Sequence, residues 1–319
     1  MTEDRGQRTG RVPRRTDSRG LGGHATPCAS PVDCQLSAVR CLLSAVRWLL
    51  FAVLVAGGSL AGARWFAGRA GRAEGEAVLR EAAALLEACP EREAGTTSGH
   101  QVAEWLAARL GPRVQRLPFT SGLGLPMVNL YLPARAKPVA LLATHFDTKG
   151  GLSGFVGAND GASTTALLLY LAREDKLPVG YLFLDGEECR TRYSARDGLQ
   201  GAWHAARLPE LPRVPVVVLD MLGERDYTPA LAVNGSPRLN ALIRRAAEAA
   251  RVPLGAEGNI VDDHVPFLAE GWQAADVIDF DYAHWHTPGD TLDKLSPEAL
   301  GHSLRLIRAI VKLLEKEAL

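Results

Sequence analysis

Side chains that can bind a metal ion follow several apolar, strand-like runs of this 319-residue chain. A histidine follows one run, a pair of glutamates follows the next and an aspartate ends a third, while two further candidates lie in polar loops. They are His145, Asp160, Glu188, Asp220 and His286, with Glu187 beside the third. Imidazole and carboxylate groups are the ligands expected of a zinc site that keeps a coordination position open for substrate.

The spacing of the carboxylates also suggests acid–base chemistry. Glu187 and Glu188 follow the apolar run VGYLFLDG, where two uncompensated charges would be costly to desolvate. A metal ion bound by Glu188 would compensate the charge and leave Glu187 free as a general base, whereas a solvated acidic loop is the alternative. Asp160 could instead cap the helix that follows it. Asp147, two residues after His145, would orient a neighbouring ligand.

The elements that must position these residues alternate along the chain. Helical patterns occupy about 73–89, 98–110, 162–172, 198–206, 236–250 and 296–317, and apolar strand patterns lie between most of them. This alternation predicts a largely parallel sheet covered on both faces. Because ligands bind outside the carboxyl ends of such strands, the candidates should meet in one crevice. No linker divides residues 73–319, which predicts one catalytic domain.

The N-terminal part has a different composition. Residues 1–40 are basic and rich in Gly, Pro and Ser, which predicts a disordered tail. Residues 41–66 contain the uncharged stretch Trp48–Ala63, which predicts a single-pass transmembrane anchor with the catalytic domain on the extracytoplasmic side. Cleavage of a signal peptide after Ala61–Gly62–Ala63, giving a secreted protein, is the alternative. The balance of 36 basic and 36 acidic residues gives no argument for nucleic acid as a partner.

In their order and spacing, the segments THFD, GANDGAS, DGEE, the strand-ending Asp220 and WHTPGDT resemble a known family. It comprises the co-catalytic zinc aminopeptidases and their relatives, the glutaminyl-peptide cyclotransferases. The resemblance covers roughly residues 75–319. It implies an α/β fold, a three-layer α/β/α sandwich around a mixed, mainly parallel sheet. It also implies zinc at the strand ends and peptide or protein N-termini as substrates.

The two branches of this family use the site differently. In the aminopeptidase branch, the resemblance implies two zinc ions bridged by Asp160, with His145 and Asp220 as ligands of the second metal. In the cyclotransferase branch, it implies one zinc ion, held by Asp160, Glu188 and His286.

The cyclotransferase branch also implies a set of catalytic residues. They are an acid network of Glu187, Asp220 and Asp262, and Trp285 against the substrate. Asp262, in VDDHVPF, favours this branch because aminopeptidases more often carry serine there. The sequences of the segments FVGAND and RYSARDGLQGAWHAARL also resemble the cyclotransferase branch, although Tyr193 stands where that branch is expected to have tryptophan. Asp276 stands near the position where animal cyclotransferases have a histidine. The segment TPGDTLDKLSPEAL resembles bacterial aminopeptidases equally well.

The sequence therefore predicts a zinc-dependent glutaminyl-peptide cyclotransferase, which converts N-terminal glutamine to pyroglutamate and releases ammonia. A zinc aminopeptidase is the alternative, and a non-catalytic, receptor-like ectodomain is a third interpretation. One zinc ion is favoured over two.

Overall fold

The computed structural model describes residues 71–174 and 176–317 of the chain. The predicted tail at 1–40 and the predicted anchor at 41–66 lie outside these residues, so both stay predictions. Within the described part, no helix combines the length and the apolar character needed to cross a membrane.

Helices and strands alternate through most of the described part, as the sequence pattern predicts. The strands are β1 (Gln115–Thr120), β2 (Pro126–Leu132), β3 (Ala140–His145), β4 (Val179–Leu184), β5 (Val216–Asp220), β6 (Ala230–Ala232), β7 (Gly255–Glu257) and β8 (Ala274–Ile278). The helices are α1 (71–88), α2 (Thr97–Leu110), α3 (Thr164–Glu174), α4 (Gln200–Ala206), α5 (Pro237–Ala250), α6 (His264–Ala269) and α7 (Pro297–Lys316). The six predicted helices are confirmed to within about two residues at their ends.

The eight strands form one mixed sheet in the order β1-β2-β4-β3-β5-β8-β6-β7. The central strands β4, β3, β5 and β8 run parallel to one another, and β6 pairs with β7 in parallel. The pairs β1–β2, β2–β4 and β6–β8 are antiparallel. The predicted mixed sheet is confirmed. The carboxyl ends of the four central strands lie at one edge, where the candidate residues are expected.

Both faces of the sheet are covered by helices. In β3, Leu142 packs into a core with helices α1, α2, α3, α5 and α7, whereas Leu141 and Ala143 face a second core with α4 and α6. Strand β5 repeats the alternation, with Val217 in the first core and Val218 in the second. Since each fully buried aliphatic side chain contributes roughly 1.5–3 kcal/mol, these two cores hold the three layers together. The predicted α/β/α sandwich is present.

Four elements go beyond the sequence prediction. Strand β1 lies at the sheet edge, contains Pro118 and buries none of its side chains, so it lacks an apolar signal. Strands β6 and β7 have three residues each, and α6 has six residues including Pro266. Elements this short are set by tertiary packing rather than by local periodicity.

Candidate active site

The ends of three neighbouring parallel strands bring the first candidates together. His145 is the last residue of β3, and Asp220 is the last residue of β5. Glu187 and Glu188 follow β4 after a turn in which Gly186 has φ 80°. All four side chains are more than nine-tenths buried. The parallel sheet therefore gathers residues that are up to 75 positions apart in sequence.

Asp160 reaches the same place through a distorted segment. Residues Ala158–Ser163 form a π-helical turn, in which Asp160 leaves the helical conformation with φ −78° and ψ 95°. Gly161 follows with φ 87°, and a Cβ atom there would stand 2.9 Å from His145 Cε1. Glycine is required at this position on both counts. Asp160 does not act as the helix cap that the sequence allowed, because its side chain faces the two histidines instead.

Asp290 fixes the backbone of this turn. Its two carboxylate oxygens accept hydrogen bonds from the amides of Asn159 (2.8 Å) and Asp160 (3.0 Å). The Tyr282 hydroxyl donates a third bond to it, at 2.7 Å. Asp290 thus ties the turn that carries Asp160 to the loop that carries His286.

Two groups of metal-ligand type meet at Asp160. The inner cluster is His145, Asp160 and Asp220, and the outer cluster is Asp160, Glu188 and His286; within each, the ligand atoms all lie within 4.8 Å of one another. In the inner cluster, His145 Nε2 lies 3.4 Å from Asp160 Oδ1 and 3.2 Å from Asp220 Oδ1. In the outer cluster, His286 Nε2 lies 3.4 Å from Asp160 Oδ2 and 2.9 Å from Glu188 Oε1. Each oxygen of Asp160 therefore serves one cluster.

The outer cluster has the ligand types that zinc requires, and some of its ligand atoms make only long contacts within the protein. Asp160 Oδ2 and Glu188 Oε2 are buried without a well-formed hydrogen bond in the described part of the chain; His286 Nε2 lies 3.4 Å from the first and Lys149 Nζ lies 3.4 Å from the second. Buried carboxylate oxygens with contacts this long have room for a cation between them and the imidazole. His286 adopts φ 51°, a conformation that costs a non-glycine residue roughly 1–2 kcal/mol and is typical of functional positions. One imidazole and two carboxylates fit zinc.

Asp147 supports both clusters from behind. Its Oδ1 atom lies 3.5 Å from His145 Nδ1. The same carboxylate accepts hydrogen bonds from the amides of Glu187 (3.2 Å) and Glu188 (3.1 Å). Its position agrees with the orienting role that its spacing from His145 suggests. It couples the end of β3 to the glutamate pair after β4.

The catalytic candidates share a cleft with the outer cluster. The cleft encloses about 640 Å³ of empty space, partly open to solvent, and is lined by Glu187, Asp220, Asp262 and Trp285 among others. Asp160, Glu188 and His286 also line it, whereas His145 does not. The structure therefore brings together the predicted catalytic residues and the three outer ligands.

The aromatic wall of the cleft is half exposed. The Trp285 ring stacks on the His286 ring at a centroid distance of 4.1 Å and packs against Phe280 at 5.0 Å. Trp285 is 41% exposed, and Val261, which also lines the cleft, is 56% exposed. Large apolar side chains left open around a polar floor are typical of a ligand site.

Burial and like charge change the protonation of the acids on the cleft floor. Burial raises the pKa of Glu187 well above its usual range, and the neighbouring Glu188 raises it further. Burial, followed by the charge of Asp220, raises the pKa of Asp262 to about 7. The Tyr193 hydroxyl donates a 2.9 Å hydrogen bond to Glu187 Oε1. Such acids titrate as a coupled set that shares protons.

A second set of polar groups lies behind Asp262. Asp263, His264 and Asp276 are fully buried, and their side-chain atoms have no hydrogen-bond partner within the described residues. His264 Nδ1 lies 3.9 Å from Asp276 Oδ2. Burial lowers the pKa of His264 to about 4 and raises the pKa of Asp276 well above its usual range. Burial thus disfavours the charged form of both groups, and Asp276 stands where the resemblance leads one to expect a histidine.

Arg92 is a buried residue near the site that no sequence pattern indicates. This arginine is fully buried, and its guanidinium donates hydrogen bonds to the carbonyls of Phe146 (2.8 Å), Val156 (2.8 Å) and Gly157 (3.0 Å). It thereby joins the residue between His145 and Asp147 to the backbone just before the Asp160 turn. In the sequence it is one arginine among many, in CPEREAG, and no local pattern separates it from the exposed ones.

Comparison with known proteins agrees with this geometry. Residues 128–311 match the family model described as Peptidase family M28. A glutaminyl-peptide cyclotransferase-like protein of Mus musculus is 32% identical over 69% of this chain and 70% of that protein. A similar protein of Bos taurus is 30% identical, and the chain spans 55% of its length.

Solved structures give the same picture. A glutaminyl cyclase from an Acidobacteriales bacterium has a TM-score of 0.70 and 30% identity, over 76% of this chain and 95% of that one. A Zn-dependent exopeptidase from Parabacteroides distasonis shares the fold, with a TM-score of 0.64, 20% identity, and coverage of 74% and 97%. The family match covers more than half of the chain, and the chain belongs to peptidase family M28.

Proposed function

We propose that this protein is a zinc-dependent glutaminyl-peptide cyclotransferase, which converts the N-terminal glutamine of peptides to pyroglutamate and releases ammonia. One observation carries the proposal: the outer cluster opens into a cleft whose floor also holds the buried acids Glu187 and Asp262. A buried acid beside a metal ligand suits proton transfer within a bound substrate. The names of the similar mouse protein and of the Acidobacteriales structure support the same activity.

We propose that one zinc ion is bound by Asp160, Glu188 and His286. When bound there, zinc supplies Lewis-acid polarisation of the side-chain amide carbonyl of the substrate. The three ligands line the cleft, whereas His145 of the inner cluster does not, so a substrate in the cleft meets the outer cluster.

Glu187 is the proton carrier in the proposed reaction. The α-amino nitrogen of the substrate attacks the carbon of its own side-chain amide, so that one C–N bond forms and the bond to the amide nitrogen breaks. Glu187 accepts a proton from the attacking amine and returns it to the departing nitrogen, which leaves as ammonia. The Tyr193 hydroxyl, 2.9 Å from Glu187 Oε1, holds the carboxyl group in place.

Asp220 and Asp262 keep Glu187 in a usable protonation state. Both line the cleft, and both are more than nine-tenths buried. Closely spaced buried acids cannot all ionise, so a proton is retained within the set. Trp285 and Phe280 form the apolar wall against which the backbone of the peptide N-terminus would lie.

A zinc aminopeptidase is the second candidate, and the completeness of the inner cluster favours it. His145 and Asp220 both face Asp160 Oδ1, which is the arrangement needed for a second metal bridged by Asp160. In that case Glu187 would take a proton from an attacking water molecule, and the peptide bond after the first residue would break. The fold shared with a Zn-dependent exopeptidase is compatible with both candidates.

An ammonia-release assay on a glutamine-initiated peptide, run beside a panel of aminopeptidase substrates, separates the two. We expect ammonia and pyroglutamyl peptide from the glutamine-initiated peptide, and no free amino acids from the aminopeptidase substrates. Release of free N-terminal residues without ammonia would assign the protein to the aminopeptidases.

The Glu187→Gln variant tests the role of the proton carrier. We expect the zinc content to be unchanged and kcat to fall by about 10²–10⁴-fold, the range typical of general acid–base groups. Loss of zinc from this variant would exchange the roles assigned to Glu187 and Glu188.

We further propose that residues 41–66 anchor the protein in a membrane with the catalytic domain on the extracytoplasmic side, with cleavage and secretion as the alternative. The uncharged stretch at 48–63 supports this proposal. Carbonate extraction of membranes from expressing cells tests it: an anchored chain stays in the pellet, and a secreted chain is found in the medium.

A further inference from the structure

Lys149 places a positive charge against one ligand of the outer cluster. Its Nζ atom lies 3.4 Å from Glu188 Oε2, a buried oxygen of that cluster. The lysine side chain is only 17% exposed, and the Glu188 side chain is 3% exposed. Lysine is charged at neutral pH, and an ion pair buried to this degree is weakly screened by water and salt. The charge of Lys149 therefore acts strongly on Glu188.

Hydrogen bonds fix Lys149 at this place. Its ammonium donates to the Cys189 carbonyl and to Cys189 Sγ, the second at 3.0 Å. Two residues earlier, Asp147 accepts hydrogen bonds from the amides of Glu187 and Glu188. The segment after β3 and the segment after β4 are thus tied together at two points. The contact between Lys149 and Glu188 is a built part of the site.

The charge of Lys149 is not shared with another acid. Among residues 71–174 and 176–317, Glu188 is the one acid within ion-pair distance of the Lys149 ammonium. Lys149 does not line the cleft, so a substrate bound there meets Glu188 and not the lysine. Whatever Lys149 contributes to the reaction must therefore pass through Glu188.

We propose that Lys149 is a positioning residue that competes with the metal for the negative charge of Glu188. This role, which rests on the zinc site proposed above, makes a bound zinc ion a stronger Lewis acid. The carboxylates of Asp160 and Glu188 would neutralise a zinc ion in full, whereas the ammonium leaves the group with one net positive charge. Two unit charges about 4 Å apart, at an effective dielectric constant of about 20, interact strongly enough to change a binding constant by more than tenfold. Lys149 thus lowers metal affinity and strengthens the polarisation of a carbonyl at the metal.

A purely structural lysine would change zinc binding in the opposite direction. If Lys149 only held the segment after β4 through the Cys189 carbonyl, its loss would loosen Glu188. Zinc binding would then weaken by about 10–100-fold, the range typical of groups that orient ligands. The direction of the change in zinc affinity therefore separates the two roles.

The zinc affinity of the full-length chain, measured by chelator competition, is the first test. Lys149→Met removes the charge, and Lys149→Gln removes the charge but keeps hydrogen-bond donors for the Cys189 carbonyl. In both variants the zinc Kd should fall by at least about tenfold. If Lys149→Met did not fold, Lys149→Gln would carry the test. The measurement needs no substrate, so its result does not depend on which reaction the protein catalyses.

Arg190→Met is the matched control. Arg190 lies in the same segment after β4, but its side chain pairs with Glu93 at 2.9 Å and donates to the Ala94 carbonyl at 2.9 Å instead of contacting Glu188. Because half-exposed pairs contribute little, loss of this cation should leave the zinc Kd within about threefold of the wild type. An equal tightening of zinc binding in Arg190→Met would overturn the specific role of Lys149.

Steady-state kinetics at saturating zinc give the second test. Both Lys149 variants should lose about tenfold or more in kcat, because the transition state loses charge stabilisation at the metal. The KM should stay within about threefold, since the cleft itself is unchanged.

Three results would overturn the proposed role. They are a zinc Kd that rises or stays unchanged in both Lys149 variants, a tightening confined to Lys149→Met, and a kcat equal to that of the wild type. Failure of the cyclotransferase reaction is distinguishable from these results. A wild type that releases free amino acids and no ammonia would refute that reaction, while the zinc affinities of the Lys149 variants would still decide the role of the lysine.

Discussion

The inner and outer clusters each combine one imidazole with two carboxylates and share Asp160, yet they differ in access. His145 of the inner cluster is 2% exposed and does not line the cleft. The His286 side chain of the outer cluster is 19% exposed and stacks under the half-exposed Trp285. A metal ion in the outer cluster can meet a substrate, whereas one in the inner cluster would be enclosed by protein.

The two histidines have similar electrostatic surroundings. Burial alone would lower the pKa of His145, but Asp147, Asp160 and Asp220 raise it well above its usual value. A protonated His145 carries a positive charge among three aspartates, the charge that a second metal would otherwise supply. Burial alone would also lower the pKa of His286, but Asp160 and Glu188 raise it to about 9. Charge is therefore similar around the two histidines, and access is what separates a one-metal from a two-metal use of the five ligands.

Asp160→Asn gives the largest expected effect because it changes both clusters at once. An amide removes the charge and one of the two acceptor oxygens, so zinc should be lost. The activity should fall by more than about 10³-fold, since several kcal/mol of transition-state stabilisation depend on the metal. Elemental analysis and ammonia release measure the two losses. Asp226→Asn, on the loop after β5, is the control; a zinc content near that of the wild type in Asp160→Asn would contradict the shared-ligand geometry.

Separate histidine variants compare the clusters directly. His286→Ala should lose zinc together with activity. His145→Ala should keep about one zinc per chain and lose roughly 10–100-fold in kcat/KM, the range typical of groups that orient ligands. His100→Ala on helix α2 is the matched control.

The same variants can reverse the assignment. The wild type could bind two zinc ions, and the His145→Ala variant could bind one and be inactive. That outcome would show that the inner cluster is a metal site needed for activity. That result would favour the aminopeptidase.

Asp147→Asn tests the link between the clusters. The amide keeps one acceptor for the backbone of the glutamate pair but loses the charge beside His145. We expect zinc affinity to fall by about 10-fold and kcat/KM by about 10–100-fold, measured by chelator competition and by ammonia release. Asp197→Asn is the control, because that carboxylate accepts bonds from the amides of Arg190 and Thr191 further along the same loop. If the two variants changed zinc affinity and kcat/KM equally, Asp147 would only hold the loop backbone and would not orient His145.

The sequence predicts most of this site because its residues are tied to strand ends. His145 and Asp220 end apolar runs, and a parallel sheet necessarily brings such ends to one edge. The position of Asp160 is not predictable in this way, since it depends on a π-helical turn and on the bonds from Asn159 and Asp160 to Asp290, 130 residues away. The histidine of WHTPGDT indicates a metal ligand, but nothing local indicates that the aspartate of this segment, Asp290, accepts hydrogen bonds from two amides.

Arg92 illustrates the part of the fold that sequence patterns miss. A buried arginine usually pairs with a carboxylate, but this one donates to carbonyls more than 50 residues away. Burial lowers the pKa of Arg92 to about 10, whereas the nearby charges of Asp160, Asp290 and Asp147 raise it. Its positive charge in turn stabilises the ionised form of these acids. Only tertiary structure reveals that it stands behind both clusters.

Arg92→Lys is the mildest test of the comparison, because Arg92 anchors the shared Asp160 turn and not one cluster alone. Lysine keeps the charge but cannot reproduce the planar guanidinium, which donates to the carbonyls of Cys89, Phe146, Val156 and Gly157. Each buried carbonyl left unpaired costs roughly 1–3 kcal/mol, so the Tm should fall by about 5–15 °C. Activity per zinc-saturated, folded chain should stay within about threefold of the wild type, because no catalytic group contacts Arg92. Arg196→Lys, an exposed arginine that donates to the Gly122 carbonyl, is the control and should leave the Tm unchanged. If Arg92→Lys lowered zinc occupancy at one cluster while sparing the other, the two clusters would not share their anchor, and the backbone around Asp160 would have to be held mainly by Asp290.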